Sequence, residues 1–240
     1  MFKIINCYNL RYRVWINLFG IKIKFWLENN KNKKHLRSKN YNIISVGRFC
    51  LPWVITTITG LKPRREEGEK SCPFDLARFD NIDAQINLIK SHFDHFYDDF
   101  EFDTTNNIWV NKPMNIKLLH DHMPEKEDLI KRYDRRIKNF YDYLSEDKFA
   151  ILVFSIEKDA DANKIEELFS ALKQQRNEKP SKLVVLASED LDISNEDIIV
   201  INNFDKQDYD SLLKVKAMLP EGKIECDKVI PKIINIIENI

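Results

Sequence analysis

Cys50 is the residue of this 240-residue chain whose type and setting point most directly to covalent chemistry. It follows a short β-rich run, Tyr41-Asn42-Ile43-Ile44-Ser45-Val46, that Gly47 ends. It immediately precedes Leu51-Pro52-Trp53, where the proline suits the first turn of a helix that Gly60 closes. A helix start presents N–H groups that the helix cannot satisfy, together with partial positive charge; both favour a thiolate, the nucleophilic form. Gly47 would let the backbone turn tightly and approach a substrate closely. The same placement also suits a small buried hydrophobe, the commoner fate of a lone cysteine.

A thiol nucleophile needs a base within hydrogen-bond reach. Of the five histidines, His35 falls in a polar stretch, and His92 and His95 fall at the end of an expected helix. His120 differs because it directly follows the apolar strand Ile116–Leu119, a rigid place from which to aim an imidazole at a cleft. It also fits a capping or surface residue. Asp121 is adjacent, but successive strand residues point to opposite faces, so it need not orient His120 itself. His122 would share the face of His120 if the strand continued, and it stays open as a substitute base. Asp75, in Pro73-Phe74-Asp75, is a third member or substrate clamp on one reading and the cap of a turn on the other. Cys72, close to it in sequence, reads as a second thiol in the same cleft or as plain filler. The cluster His92, Asp94, His95, Asp98, Asp99 and the run His120-Asp121-His122 define no complete ligand set, so no metal and no cofactor is expected.

Near-continuous apolar strands at Phe149–Phe154, Leu183–Ala187 and Ile198–Ile201 alternate with amphipathic helices, among them Asn163–Gln175. That pattern predicts a three-layer α/β domain with a mostly parallel sheet covered on both faces. Further helices are expected over Asn81–Tyr97, Glu125–Leu144 and Cys226–Ile240, with short strands around Ile108–Val110 and Ile116–Leu119. Residues 1–28 alternate in short runs as a small hairpin or extended arm, and Asn29–Asn40 is a polar, basic linker. Lys62–Lys70 reads as a polar loop. The expected organisation is thus an arm and linker over 1–40 and one α/β domain over 41–240.

Five glycines, and neither a G-x-G-x-x-G nor a G-x-x-x-x-G-K-[ST] run, leave nucleotide binding through such loops without support. Hydrophobic residues make up 43%, but no stretch of about 18 apolar residues exists, so a spanning helix is not expected. The N-terminus lacks a small-residue cleavage site, and the four cysteines (Cys7, Cys50, Cys72, Cys226) form no C-x-x-C pair. A cytoplasmic protein with reduced thiols is expected. Residues 1–40 carry ten Lys/Arg against one acid, Glu28, while the remainder is acidic and the net charge is zero. Lys/Arg interleaved with Trp15, Phe19, Phe25 and Trp26 suits peripheral contact with an anionic membrane, and a flexible solubilising arm fits equally; nucleic acid is not expected as partner.

The segment from Ile43 to Ala77 carries Ser45, Gly47 and Cys50 as S-x-G-x-x-C, then Gly60-Leu61, then Pro73-Phe74-Asp75. In these features, and in His120-Asp121 after Ile116-Lys117-Leu118-Leu119, the chain resembles a bacterial family of papain-like cysteine peptidases over roughly residues 41–190. The resemblance implies Cys50 as nucleophile and His120 as base, with Asp121 and Asp75 beside them. It makes Ser45, Gly47, Arg48 and Phe74 the expected substrate-binding residues, and a papain-like α+β fold the alternative to the three-layer one. The same family includes an acyltransferase of aminoglycoside antibiotic biosynthesis. Acyl transfer from a small-molecule or acyl-carrier substrate, in glycan or metabolite modification, is therefore implied beside hydrolysis. Leu119 stands where the family usually has an asparagine. The arm, through Leu18-Phe19-Gly20-Ile21-Lys22-Ile23-Lys24, also resembles tails of bacterial cell-surface glycan enzymes. The competing expectation is a non-catalytic carbohydrate- or protein-binding module with a structural cysteine.

Overall fold

A computed structural model describes residues 2–7, 11–18, 21–28, 36, 39–58, 60–63, 67–156, 161–202 and 230–239. The arm is a three-stranded antiparallel meander rather than a single hairpin. Its strands are β1 (Phe2–Cys7), β2 (Arg11–Leu18) and β3 (Ile21–Glu28), with Phe2 opposite Ile16 and Leu18 opposite Ile21. Most of the linker read at Asn29–Asn40, the side chains of the arm, and Cys226 lie outside the described residues.

The body begins with β4 (Tyr41–Ser45) and α1 (Leu51–Ile58). An insertion follows, made of β5 (Arg78–Phe79), α2 (Ile82–Lys90), β6 (Phe100–Asp103), β7 (Ile108–Asn111), β8 (Ile116–Leu118) and α3 (Lys126–Ser145). The chain then completes the sheet with β9 (Phe149–Ile156), α4 (Ala162–Gln175), β10 (Ser181–Ala187) and β11 (Ile198–Ile201), and α5 (Ile230–Glu238) follows. Strand order in the main sheet is β11-β10-β9-β4, and every pairing is parallel.

The expected layering follows from strand alternation. Ile43, Ile151, Val153, Val184 and Leu186 pack with α1 and α5 on one face. Their sequence neighbours Ile44, Leu152, Phe154 and Val185 pack with α2, α3 and α4 on the other. Central strands buried on both sides can carry apolar residues throughout, and β9 is buried from Ala150 to Ile156. Each buried Val, Leu, Ile or Phe among them contributes about 1.5–3 kcal/mol.

The insertion forms a second sheet, antiparallel, in the order β5-β8-β7-β6. Its inner face places Phe79, Phe100, Trp109, Ile116 and Leu118 in the same core cluster as α2 and α3. The fold is therefore mixed α/β, with a parallel sheet and an antiparallel one.

The helix expected over Asn81–Tyr97 stops at Lys90. Asn81 caps its start, accepting from the N–H groups of Asp83 and Ala84. At its end His92 N–H donates to Ile89 O and Phe93 N–H to Leu88 O, with His92 left-handed at φ 56°. This is the Schellman arrangement, in which the residue past the cap reverses hand and the next one folds back. Phe93 thereby reaches the core without three more residues of helix, and that defeats a reading based on 3.6-residue spacing.

Candidate functional site

Cys50 is the N-cap residue of α1. Its carbonyl accepts the N–H of Val54 at 2.9 Å, the first bond of the helical ladder. In the first turn Leu51 and Trp53 carry N–H groups that this ladder cannot use, and Pro52 has none. The residue sits at the carboxyl end of β4, which Val46 prolongs by donating to Val153 O at 2.9 Å. In open parallel sheets ligands bind outside these strand ends. Cys50 is half-buried against the apolar cluster of α1, and neither it nor Cys72 is in a disulfide.

Gly47 is required by space. A Cβ there would come within 2.5 Å of Pro52 Cγ and 3.0 Å of Ser155 Oγ. The close approach it permits is that of the α1 start to the sheet. Arg48 faces the insertion: its Nε donates to Phe79 O (3.0 Å), its Nη2 to Asp80 O (2.8 Å), and its own carbonyl accepts Phe79 N–H (2.8 Å). Phe49 carries the Arg78 guanidinium over its ring at 4.9 Å. The two residues before Cys50 are therefore fixed to β5. That strand pairs with β8, with Arg78 opposite Lys117.

His120 lies two residues beyond β8, in a turn rather than on a continued strand. Asp121 N–H donates to Leu118 O at 3.4 Å, so Leu119 and His120 are the corner residues, and both are exposed. Asp121 is fully buried. It accepts Arg132 Nη1 at 2.7 Å, Tyr133 OH at 3.0 Å and Arg136 Nη1 at 2.9 Å, all from α3. Burial alone would raise its carboxyl; Arg136, with the hydrogen bonds from Arg132 and Tyr133, outweighs this and holds it below the ordinary aspartate range. Asp121 thus anchors the turn that presents His120. His122 points elsewhere, its Nδ1 donating to Asn107 O at 2.8 Å.

Asp75 belongs to a buried ionic cluster at the end of β4. Its Oδ2 accepts the Cys72 N–H at 2.6 Å, capping the single 3-10 turn Pro73–Asp75, and its Oδ1 lies 3.4 Å from Lys62 Nζ. Lys62 also pairs with Glu69 at 2.8 Å, and Glu69 accepts Trp53 Nε1 at 3.2 Å. The buried Ser45 hydroxyl faces the Asp75 carboxylate closely enough to pull its pKa down, though without well-formed hydrogen-bond geometry. Burial prevails, and Asp75 sits above its ordinary value despite Lys62 and the Cys72 amide. For Lys62 the balance reverses: burial would lower it, but Asp75, Cys72 and Glu69 hold it above the usual lysine range. Burial and the Asp75 charge push the Cys72 thiol well up, so Cys72 stays protonated at neutral pH. Phe74 is fully buried, with ring centroids 4.9 Å from Phe79, 5.3 Å from Phe140 and 5.7 Å from Phe93.

The structure therefore gathers Ser45, Asp75 and Cys72 beneath the strand end, and links the Cys50 loop through β5 and β8 to His120. It directs Asp121 to α3 and Phe74 into the core. Sequence reading passed over Lys62 and Glu69 inside an apparently polar loop, and over Arg132 and Arg136. Arg132 and Arg136 lie one helical turn apart and so reach the same carboxylate, but their spacing is shared by Lys131 and Arg135 and does not single them out in the sequence. Among the described residues no three His, Cys, Asp or Glu side chains come together to hold a metal, and no helix is long and apolar enough to cross a membrane.

A family model described as "Putative papain-like cysteine peptidase" matches residues 41–187, from the first residue of β4 to the last of β10. No curated protein and no solved structure matches the chain significantly.

Proposed function

We propose, from the premise that this chain belongs to the papain-like cysteine peptidase family, that it performs thiol-based acyl chemistry with Cys50 as nucleophile and His120 as general base. One observation carries the reading: Cys50 caps α1 at a parallel-strand end, and its loop is tied through β5 and β8 to the turn bearing His120. In this mechanism the Cys50 sulfur bonds to an amide or thioester carbonyl carbon while its proton passes to the imidazole. The oxyanion is stabilised by N–H groups at the helix start. Collapse breaks the C–N or C–S bond, and the leaving group takes the proton from His120. Water or an amine then attacks the thioester, gives its proton to His120 and releases the thiol. Hydrolysis and transfer differ only in that acceptor, and transfer to an amine in glycan or metabolite modification is the form we favour. Asp121 acts as a positioning residue for the turn.

The test is acylation. A small acyl thioester is expected to release about one equivalent of thiol in a burst and to leave a mass adduct on Cys50. Cys50→Ala is expected to abolish both and His120→Ala to slow them by about a hundredfold or more. Loss of neither with these variants would overturn the assignment.

A second reading is favoured by the packing of Cys50 against the apolar cluster of α1. It makes the protein a non-catalytic carbohydrate- or protein-binding module with a structural cysteine. Iodoacetamide labelling at neutral pH separates the two: labelling slower than for a small free thiol favours the module. For either reading, residues 1–40 are proposed to contact an anionic membrane, and sedimentation with anionic vesicles, with and without the arm, tests this.

A further inference from the structure

The four-stranded antiparallel sheet packs one face into the core; its other face forms a groove of about 680 Å³. Strand alternation determines the lining. On β7, Trp109 and Asn111 are buried and Ile108 and Val110 face out; on β8, Lys117 faces out between Ile116 and Leu118. Ile108, Val110 and Leu119 make an apolar floor; Phe102 touches the groove only at its edge, since it lies opposite Trp109 with its ring against the core side. Leu119, at 39% exposure, is the exposed large hydrophobic among the described residues.

Both candidate catalytic residues adjoin this groove through their chain neighbours. Leu119 lines it directly before His120, and Phe49, directly before Cys50, lies against the groove residue Arg78. The charges of the lining are unequal. At the far end Glu101 pairs with Lys112 at 2.9 Å, and Asp103 is held by the N–H groups of Thr105 and Asn106 and by the Asn106 amide. At the near end Arg78 is clamped by both oxygens of Asp80 at 2.8 Å. Lys117, directly opposite Arg78 in register and half-buried, has no carboxylate partner among the described residues. A lysine whose stem lies along an apolar floor, beside a guanidinium, is complementary to an anion with an apolar chain.

We infer that this outer sheet face is the acyl-donor groove, taking an apolar chain that carries a carboxylate or phosphate held by Lys117 and Arg78. The inference rests on the acyl-chemistry reading for its role, though not for the binding itself. Four strands about 4.8 Å apart span roughly 14 Å, room for a chain of about eight carbons.

Titration calorimetry of the full-length Cys50→Ala protein with octanoate, octyl phosphate and uncharged octanamide tests it. At least one anion is expected to bind about three- to tenfold more tightly than octanamide. Lys117→Glu is expected to abolish that preference while leaving octanamide affinity unchanged, and Lys117→Gln makes the same comparison should the Glu variant not fold. The ratio of octanoate to octyl phosphate identifies the anion. Equal binding of all three probes, or anion binding indifferent to both Lys117 variants, overturns the proposal. Binding measured without the Cys50 thiol stands even if wild type forms no acyl-enzyme. Conversely, Cys50 acylation with no anion preference retains the catalytic reading and removes the groove.

Discussion

Replacing Asp121 by asparagine keeps the shape of the side chain and removes the charge that α3 surrounds. Its three donors respond differently. Arg132 is 35% exposed, so water can take over its guanidinium and the loss there is about 0.5–1 kcal/mol. Arg136 is 6% exposed and loses its carboxylate where water cannot follow, a cost of about 2–3 kcal/mol. Tyr133 OH, fully buried, adds about 1 kcal/mol if the new amide group faces it. Asn retains one carbonyl acceptor, so the whole comes to about 3–4 kcal/mol. With a urea m-value of about 2–3 kcal/mol/M for a chain of this size, the midpoint falls by roughly 1–2 M with m unchanged. Urea is the right denaturant because it does not screen the pair. The difference between wild type and variant also depends on pH. The folded-state pKa of Asp121 is depressed, so its contribution is present above its unfolded value of 3.8 and fades as pH falls through the folded value. Adding Arg136→Met to the variant should cost less than the sum of the single changes, because no buried cation is then left alone. A loss below about 1 kcal/mol, or strict additivity in this cycle, refutes the argument that Asp121 is the buried counter-ion fastening the turn of His120.

Gly47→Ala should destabilise by about 1–3 kcal/mol, since the added methyl meets the rigid Pro52 ring, and should alter the alkylation rate of Cys50; urea unfolding and mass-resolved labelling measure both. Lys62→Met leaves Glu69 and Asp75 buried without their cation, costing about 3–5 kcal/mol at neutral pH. Burial already holds the Asp75 carboxyl above its ordinary value and Lys62 opposes this, so without Lys62 its protonated folded form is favoured further and the cost should shrink as pH is lowered toward its unfolded value, as midpoints at several pH values would record. Arg176→Met removes a fully buried guanidinium that donates to Leu144 O, Lys148 O and Pro180 O. It should cost about 2–4 kcal/mol and speed hydrogen exchange at the starts of β9 and β10; unchanged exchange there would contradict the role.

The parallel sheet was legible because β9, β10 and β11 are short apolar runs set among amphipathic helices, a pattern with one economical packing. Cys50 at a helix start was equally legible, since Gly47 and Pro52 punctuate the chain on either side. What escaped did so for identifiable reasons. β5 is two residues long and carries no periodicity, yet it connects the Cys50 loop to the strand leading to His120. Phe93 continues the apolar stripe of α2 in sequence, but it enters the core through a left-handed histidine that spacing cannot foretell. Lys62 and Glu69 read as solvated because each is charged; only the tertiary meeting with Asp75 puts them inside. Alternation already separates Asp121 from its neighbour His120, but the turn at Leu118 and the arginines that receive Asp121 come from tertiary structure alone.

The pairing of β4 with β9 bears on how the chain acquires its shape. Tyr41 lies opposite Phe149, so the edge strand that leads to Cys50 meets its neighbour only after the whole insertion has been made. Closing a loop of about a hundred residues costs on the order of 4 kcal/mol of chain entropy, and no strand pairing along β4 offsets it beforehand. During synthesis the N-terminal edge of the sheet must wait for Phe149–Val153, while the insertion, whose strand pairings span far shorter separations, can organise first. The strand end that carries Cys50 is then completed late in folding, and a chain arrested before β9 exposes β4 as an unpaired apolar strand.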